Sequence, residues 1–163
     1  MVVAAWWPTS AVPAVLNVPV AARVISFTQP APSGVVPIAI IYQPGNSASE
    51  NEAADIERSL SGGLTFGNAT LRGRRIAVTN LSQLGGRVAF ITSGLHAYHD
   101  EIAAVASAQS VLTITSDLGC VTSNRCVVSI SGGAKTQIIV SKAAMRRHNI
   151  RFGSAFLMLV KEI

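Results

Sequence analysis

The sequence predicts a single-domain α/β fold with an open, largely parallel sheet, helices on both faces, and an antiparallel, cysteine-bearing hairpin at the margin. Two observations indicate this class. Residues 35–42 form an almost uninterrupted apolar run of strand length, which is typical of a strand covered on both faces. Strand-like and helix-like segments then alternate along the chain, as they do where right-handed crossovers join parallel strands.

Length and composition support one globular domain. The chain has 163 residues, of which 49% are hydrophobic and 13% are charged, so that one apolar core is expected and disorder is not. Proline, glycine or polar residues interrupt every apolar stretch well before eighteen positions. No segment is therefore expected to insert directly into a membrane.

The first elements follow an uncharged N-terminal segment. Residues 1–17 contain no charged side chain, and we interpret them as a tail or as the remnant of a truncated signal peptide. Residues 18–27 place apolar side chains at helical spacing behind Pro19, which predicts a short buried helix. The proposed domain covers residues 18–163.

A βα unit is predicted next. The strand at 35–42 leads into a helix that begins near Ser47, with Glu50 completing a capping box, and ends near Leu60. The intervening Pro-Gly-Asn is too short for a phosphate loop and lacks its lysine, so that a nucleotide site is not expected. Further strands are predicted at 76–80, 87–92 and 111–115, and a helix at 98–108.

The stretch 111–140 contains three short strand-like runs, which predict hairpins at the sheet margin, and the only two cysteines. Cys120 and Cys126 are six positions apart across a turn-rich loop that can bring the sulfurs together, so that we expect a local disulfide. Two free core thiols are the alternative. Zinc is disfavoured because the spacing is not CxxC. A helix capped by Ser141 and a final apolar segment at 154–163 complete the fold.

No catalytic constellation stands out. His96, His99 and Asp100 form an HxxHD cluster that could bind a metal, but no third ligand position is indicated, and capping or solvated histidines explain the pattern equally well. Ser93 does not lie in a GxSxG elbow. The sequence therefore predicts a non-enzymatic protein with no cofactor and no metal.

The net charge of +5 is concentrated in the C-terminal third, where Glu162 is the only acid after Asp117. The basic residues there are not interleaved with stacking aromatics, so that a nucleic-acid partner is not expected. Two explanations of these basic charges remain: a docking surface for an acidic protein, or a merely solvated face. The docking hypothesis names six partner-binding residues: Lys142, Arg146, Arg147, Arg151, Phe156 and Leu157.

Several segments together resemble the YfiR-like family of small bacterial periplasmic proteins. They are VISF, IAIIYQ, IAVTNL, VAFITSG, SVLTITSD and, at the end, QIIVSKAAMRRHNIRFGSAFLMLVK. The resemblance runs from about residue 22 to residue 161. It implies a periplasmic location, and it places Cys120 and Cys126 at the family's C-terminal disulfide.

The same resemblance implies a function. The protein is expected to repress a membrane-bound diguanylate cyclase, and so to regulate cyclic-di-GMP signalling, by binding the periplasmic sensor part of that enzyme. It also implies a homodimer. The alternative is a solute-binding module of an uptake or sensing system, because a βα sheet of this kind also forms one half of two-lobed periplasmic binding proteins.

Overall fold

The computed structural model describes residues 15–132 and 135–163. Its helices are α1 (Val18–Ser26), α2 (Ser47–Ser59), α3 (His99–Ala108), α4 (Leu118–Thr122), α5 (Lys142–Arg147) and α6 (Ser154–Leu157), and 3-10 turns span Val78–Gln83 and His96–Tyr98. Its strands are β1 (Gly34–Tyr42), β2 (Leu64–Phe66), β3 (Ala69–Ala77), β4 (Val88–Ile91), β5 (Leu112–Thr115), β6 (Val128–Ser131), β7 (Gln137–Val140) and β8 (Lys161–Glu162).

The eight strands form one sheet in the order β2-β3-β1-β4-β5-β6-β7-β8. The five central strands, β3, β1, β4, β5 and β6, are parallel, whereas β2 pairs antiparallel with β3 and β7 pairs antiparallel with β6. β8 adds a short parallel pair at the far margin. The predicted α/β class, with a largely parallel sheet and an antiparallel hairpin at its margin, is confirmed.

Helices cover both faces of the sheet, as a parallel sheet requires. On one face, apolar side chains of α1, α2, α5 and α6 pack on the alternate strand positions that include Ile38, Ile40 and Phe90. On the other face, α3, α4 and the 3-10 turn Val78–Gln83 pack on the intervening positions, among them Ile41 and Ile91. Two apolar cores therefore lie on opposite sides of one sheet.

Local hydrogen bonds explain where several helices begin. Asn46, rather than Ser47, caps α2, because its side chain accepts the Ser49 N–H at 3.2 Å. The predicted cap of α5 is confirmed, since Ser141 Oγ accepts the Ala144 N–H at 3.1 Å. The predicted strand at 76–80 is wrong in its bounds, because β3 ends at Ala77 and a 3-10 turn follows.

The region 111–140 differs from the predicted set of hairpins. β5 and β6 are parallel, and the crossover between them contains α4. Among the described residues of this region, β6 and β7 are the antiparallel pair. Cys120 lies in α4 and Cys126 just before β6, so that the cysteines join a helix to the strand that follows it rather than bridging a hairpin loop.

Residues 15–17, which the sequence assigns to a tail, belong to the folded unit. Leu16 is buried in the core, and Asn17 caps α1 by accepting the Val20 N–H at 3.1 Å. The rest of the predicted tail, residues 1–14, lies outside the described residues. Within the described part, no helix is long and apolar enough to cross a membrane.

Candidate functional site

The sheet offers two ends where a ligand could bind. In open parallel sheets, ligands usually bind beyond the carboxyl ends of the strands, where neighbouring strands send their connections to opposite faces. Here that point lies between β1 and β4, because the chain leaves β1 toward α2 on one face and leaves β4 toward α3 on the other. Polar side chains from both connections meet there.

Glu52 is the centre of this polar cluster. Its side chain is only 2% exposed. One carboxylate oxygen accepts the Ser93 N–H at 2.6 Å, and the other accepts the Leu16 N–H and the Ser116 hydroxyl, both at 2.9 Å. Glu52 thus joins α2 to the N-terminal segment and to the loops that follow β4 and β5.

Burial raises the pKa of the Glu52 carboxyl above its ordinary value of 4.5, and the hydrogen bonds from Ser93, Ser116 and Leu16 offset part of this rise. An acid with a raised pKa is a candidate for proton transfer. In this protein, however, both carboxylate oxygens are already occupied by donors from the chain itself. We therefore interpret the cluster as structural: it holds separate segments of the chain together.

A second set of contacts closes the same end of the sheet. The Ser49 and Thr92 hydroxyls lie 2.7 Å apart, and Thr92 Oγ1 donates to the Ile41 carbonyl at 2.8 Å. Gly94 lies against the α2 cap, since a Cβ atom on it would stand 2.5 Å from Asn46 Nδ2. These contacts bind the loops together at the point where a ligand would otherwise enter.

The HxxHD cluster does not assemble a metal site. His96 is exposed, whereas His99 is buried with its Nε2 atom 3.7 Å from Asp117 Oδ2, beyond hydrogen-bonding distance. Burial lowers the pKa of His99, and the nearby Asp117 offsets this only in part. Asp100 pairs with Arg125 instead. Within the described residues, no group of three or more metal-type side chains comes together.

The opposite end of the sheet, where the parallel strands begin, holds a cavity of about 480 Å³, which we call the amino-end cavity. Ligand pockets in proteins have volumes of this order. Its apolar lining comes from Ile25, Pro30, Pro32, Val36, Val88, Leu112 and Ile150, and its polar lining from Thr28, Gln29, Arg87, Gln109, Ser110, Asn149 and Arg151.

The connections at this end shape the cavity. The segment after α1 is tied to the C-terminal region, because the Gln29 N–H donates to the Arg151 carbonyl at 2.8 Å and the Gly153 N–H to the Phe27 carbonyl at 3.0 Å. Ser110 and Asn149 both have positive φ, so that the chain turns sharply into β5 and after α5. His148, buried beneath, contacts the Val111 carbonyl through Nδ1 at 2.9 Å.

The electrostatics of the amino-end cavity favour an anion. Arg87 and Arg151 line it, and no acidic residue is among the lining residues. Both arginines are exposed, and within the described residues neither forms an ion pair. A guanidinium presents five N–H donors in a fork that matches a carboxylate or a phosphate. The cavity therefore combines apolar side chains with two arginines that form no ion pair among the described residues.

The structure divides the predicted partner-binding residues into groups. Lys142, Arg146 and Arg147 lie exposed on α5, and Arg147 Nη1 donates to the Asn124 carbonyl at 3.0 Å. Arg151 borders the amino-end cavity. Three of the predicted basic residues therefore lie on α5, and the fourth lies beside the amino-end cavity.

The apolar members of that predicted surface lie mainly inside. Phe156 is 3% exposed and stacks on Phe27 with ring centroids 5.1 Å apart, so that it belongs to the core, and Leu157 is half-buried. The exposed apolar side chains of this segment are instead Met158 and Leu159, at 86% and 80%. Any apolar contact with a partner here would involve these two residues.

The predicted disulfide is confirmed. Cys120 and Cys126 are bonded, with their Cα atoms 5.1 Å apart. Both residues are buried in the apolar core on the side of the sheet that α3 and α4 cover. The bond closes the turn from α4 into β6, where Cys126 N–H also donates to the Cys120 carbonyl at 3.0 Å.

Sequence reasoning missed the amino-end cavity because its lining comes from five separate segments. Arg87, Gln109 and Asn149 each lie beside a turn, and none of them belongs to a recognised motif. One signal was available: in a parallel sheet, the residues just before successive strands must meet at one end. Arg87 and Ser110 occupy such positions before β4 and β5.

Comparison with known proteins supports the fold. No protein-family model matches the chain, and no curated protein matches it. Several solved structures are similar to this chain, including the following three. One is the ABC domain in complex with L-Trp from Streptococcus pneumonia, with a TM-score of 0.62 and 8% identity, covering 86% of this chain and 58% of that one.

A conserved domain protein from Vibrio cholerae has a TM-score of 0.64 and 9% identity, covering 90% of this chain and 58% of that one. CD0873, a substrate binding protein with adhesive properties from Clostridium difficile, has a TM-score of 0.60 and 12% identity, with 78% and 54% covered. The chain therefore spans less than two thirds of each neighbour. At these identities the likeness establishes the architecture alone: the chain has an α/β fold shared with binding proteins.

Proposed function

We propose that this chain is a non-catalytic binding module of an extracytoplasmic compartment, and that it binds a small organic anion in the amino-end cavity. One observation carries the proposal: Arg87 and Arg151 border a cavity of about 480 Å³ whose lining is part apolar and part polar, with no acid among the described residues that line it. A ligand with an apolar body and a carboxylate or phosphate group would satisfy both halves of this lining.

Two further findings support the proposal. The architecture is shared with solved proteins that are described as binding substrates or L-Trp. The disulfide between Cys120 and Cys126 suits an oxidising compartment such as the periplasm. The carboxyl end of the sheet is less suited to a ligand, because the hydrogen bonds of Glu52, Ser49 and Thr92 already close it.

The test compares three probes that share one aromatic body and differ in charge: 1-naphthylacetate, its neutral amide and 1-naphthylmethylamine. Isothermal titration of the whole chain should show that the acid binds roughly tenfold more tightly than the amide, because a hydrogen bond to a charged group contributes about 1.5–3 kcal/mol before solvent screening reduces it. The amine should bind most weakly.

The matched variants identify the site. Arg87→Gln/Arg151→Gln should remove the preference for the acid, whereas Arg23→Gln/Lys142→Gln, which removes two exposed charges elsewhere, should preserve it. Equal affinities for acid and amide in the unmodified protein would refute the anion site. A preference that survives in the Arg87→Gln/Arg151→Gln variant would place the binding site elsewhere.

A second candidate function is regulatory protein binding, in which the chain represses a membrane-bound diguanylate cyclase through the periplasmic part of that enzyme. One observation favours a protein partner: Met158 and Leu159 are exposed next to the marginal strand β8, whose partner strand β7 leads directly into the basic helix α5. Exposed apolar side chains beside basic ones are typical of protein interfaces.

Charge reversal on α5 tests this candidate. Arg146→Glu/Arg147→Glu should slow association with the cyclase's periplasmic domain and flatten its salt dependence, because rim charges act mainly on the encounter. The melting temperature should stay nearly unchanged, since both side chains are exposed. Identical association rates at low salt for this variant and the unmodified protein would contradict the regulatory surface.

A further inference from the structure

Among residues 15–132 and 135–163, no helix covers one part of a sheet face. On the face that α3, α4 and the 3-10 turn pack against, the carboxyl halves of the strands are buried, as Ala39 and Ile41 show. At the amino halves of β1 and β3, the same face is exposed, and Val35 is 63% accessible. We call this region the open sheet face; it comprises Val35, Pro37, Thr65, Thr70, Arg72 and Arg74.

The strand register places these side chains together. Val35 lies beside Thr70, Pro37 beside Arg72, and Ala39 beside Arg74 in the parallel pair of β1 and β3. Residues paired across neighbouring strands have side chains on the same face of the sheet, and so does every second residue along one strand. Thr65 of β2 extends the row through its pairing with Thr70.

The open sheet face is cationic and unpaired. Arg72 and Arg74 are both exposed, and neither forms an ion pair among the described residues. Arg74 Nη2 donates to the Gln83 carbonyl at 3.1 Å, which holds its guanidinium at the border of the covered region. The adjacent Arg75 points to the other face, where it pairs with Glu57 at 2.6 Å.

We propose that the open sheet face docks an acidic amphipathic helix of another protein. Parallel sheets occur almost always with helices on both faces, and the described residues place no helix over this part of the sheet. Arg72 and Arg74 are about 7 Å apart along their strand. Residues one helical turn apart have Cβ atoms about 5–6 Å from each other, so that two acidic side chains of one helix can reach both arginines while its apolar side chains meet Val35 and Pro37.

Charge distinguishes this occupant from a second copy of the chain. A symmetric contact between two open sheet faces would bring four arginines together with no acid to compensate them, and like charges in an interface are unfavourable. This docking site does not depend on the ligand proposed for the amino-end cavity, and it is separate from the α5 surface.

The experiment uses a labelled helical peptide of about four turns that carries Glu at every fourth position beside a leucine stripe, and its counterpart with Lys for every Glu. Fluorescence anisotropy should show binding of the acidic peptide alone. Arg72→Glu/Arg74→Glu should weaken that binding by roughly tenfold, since two ion pairs become repulsive contacts. The control Arg23→Glu/Lys135→Glu, with the same change in charge, should weaken it by less than about twofold.

A second measurement locates the peptide without any substitution. In the unmodified protein, the acidic peptide should shift the methyl resonances of Val35. Unshifted Val35 methyls, or equal weakening in the two charge-reversal variants, would overturn the proposal. A dimer that dissociates on Arg72→Glu/Arg74→Glu would also overturn it, by identifying a second copy as the occupant. Binding to anionic phosphatidylglycerol vesicles without binding to the peptide would overturn it too, by identifying a lipid surface.

Discussion

Glu52 is a buried acid whose hydrogen bonds join segments that are distant in sequence. Because burial raises its folded-state pKa above 4.5, the folded protein holds the proton of Glu52 more tightly than the unfolded chain does. The stability that Glu52 contributes is therefore fully present below its unfolded pKa and is lost as the pH rises through its folded pKa. This direction is opposite to that of a carboxylate in a salt bridge.

Replacing Glu52 by glutamine isolates this effect. Glu52→Gln should lower the free energy of unfolding by about 1–3 kcal/mol near pH 4, because one of its three donors would face an amide NH₂ group. As the pH rises, the difference from the unmodified protein should shrink, since the charged form of Glu52 is destabilised by burial. Urea unfolding over a series of pH values measures this.

The control is Glu57→Gln on the exposed side of the same helix, which should change stability by less than about 1 kcal/mol. A gap between Glu52→Gln and the unmodified protein that widens as the pH rises would show that the network lowers the folded pKa of Glu52 and would contradict this account.

The disulfide gives a second prediction for single residues. Cys120→Ala/Cys126→Ala should lower the free energy of unfolding by about 2 kcal/mol, the loop-closure value for so short a ring. The main sheet should remain intact, because the bond spans only the turn from α4 into β6. Chemical denaturation with and without reductant measures the loss, and two titratable thiols in the unreduced, unfolded protein would rule the bond out.

Residue identity predicted the disulfide but not the role of Glu52. The two cysteines are the only ones in the chain and are separated by a short loop, which leaves few alternatives. Glu52 instead lies within an acidic run on α2, where a solvated face is the ordinary expectation. Its burial depends on donors from Leu16, Ser93 and Ser116, which are distant in sequence and meet it in the folded structure.

The turn after β4 and the start of α2 support each other. Gly94 has φ of +82°, and a Cβ atom on it would stand 2.5 Å from Asn46 Nδ2. Asn46 in turn caps α2 by accepting the Ser49 N–H. The turn and the helix cap therefore cannot be altered independently.

We expect Gly94→Ala to lower the free energy of unfolding by about 1–3 kcal/mol, through backbone strain at positive φ and displacement of the cap. Thermal or urea unfolding measures it. Gly132→Ala is the matched control, since a Cβ there meets nothing within 4 Å and φ is not positive. The double variant Gly94→Ala/Asn46→Ala should lose less free energy of unfolding than the sum of the losses in the two single variants. A loss equal to that sum would argue against the contact.

Elements with strong local patterns were predictable and the others were not. The apolar run of β1 and the amphipathic α1 were placed within one or two residues. The prediction missed most of β3 because three arginines occupy its middle. Two of them point to the open sheet face and so interrupt the apolar pattern. α4 has five residues, fewer than periodicity can identify.

At the scale of the whole molecule, the two ends of the sheet differ in character. Hydrogen bonds among side chains and loops join the connections at the carboxyl end, while the amino end holds the cavity of about 480 Å³ and two arginines that form no ion pair among the described residues. The fold class was predictable from the sequence, because it depends on the alternation of strands and helices. Which end of the sheet holds the cavity was not predictable, because it depends on side chains that meet only in the folded state.

The resemblance to the YfiR-like family also predicts a homodimer at micromolar concentration. The margin of the sheet at β8, with Met158 and Leu159 exposed beside it, is the contact we expect. Met158→Ser/Leu159→Ser should therefore shift the dissociation constant upward by roughly tenfold or more. Sedimentation velocity that shows a species of monomer mass at every concentration of the unmodified protein would contradict this.

The most direct test of the central claim is to map where a small anion binds. Backbone amide chemical shifts of the whole chain should be recorded during titration with 1-naphthylacetate. We expect the largest changes at the amino end of the sheet, at Arg87, Ser110, Asn149 and Arg151, with little change around Glu52. Changes concentrated at Asn46, Ser93 and Asp117 would place the binding site at the carboxyl end and contradict the account.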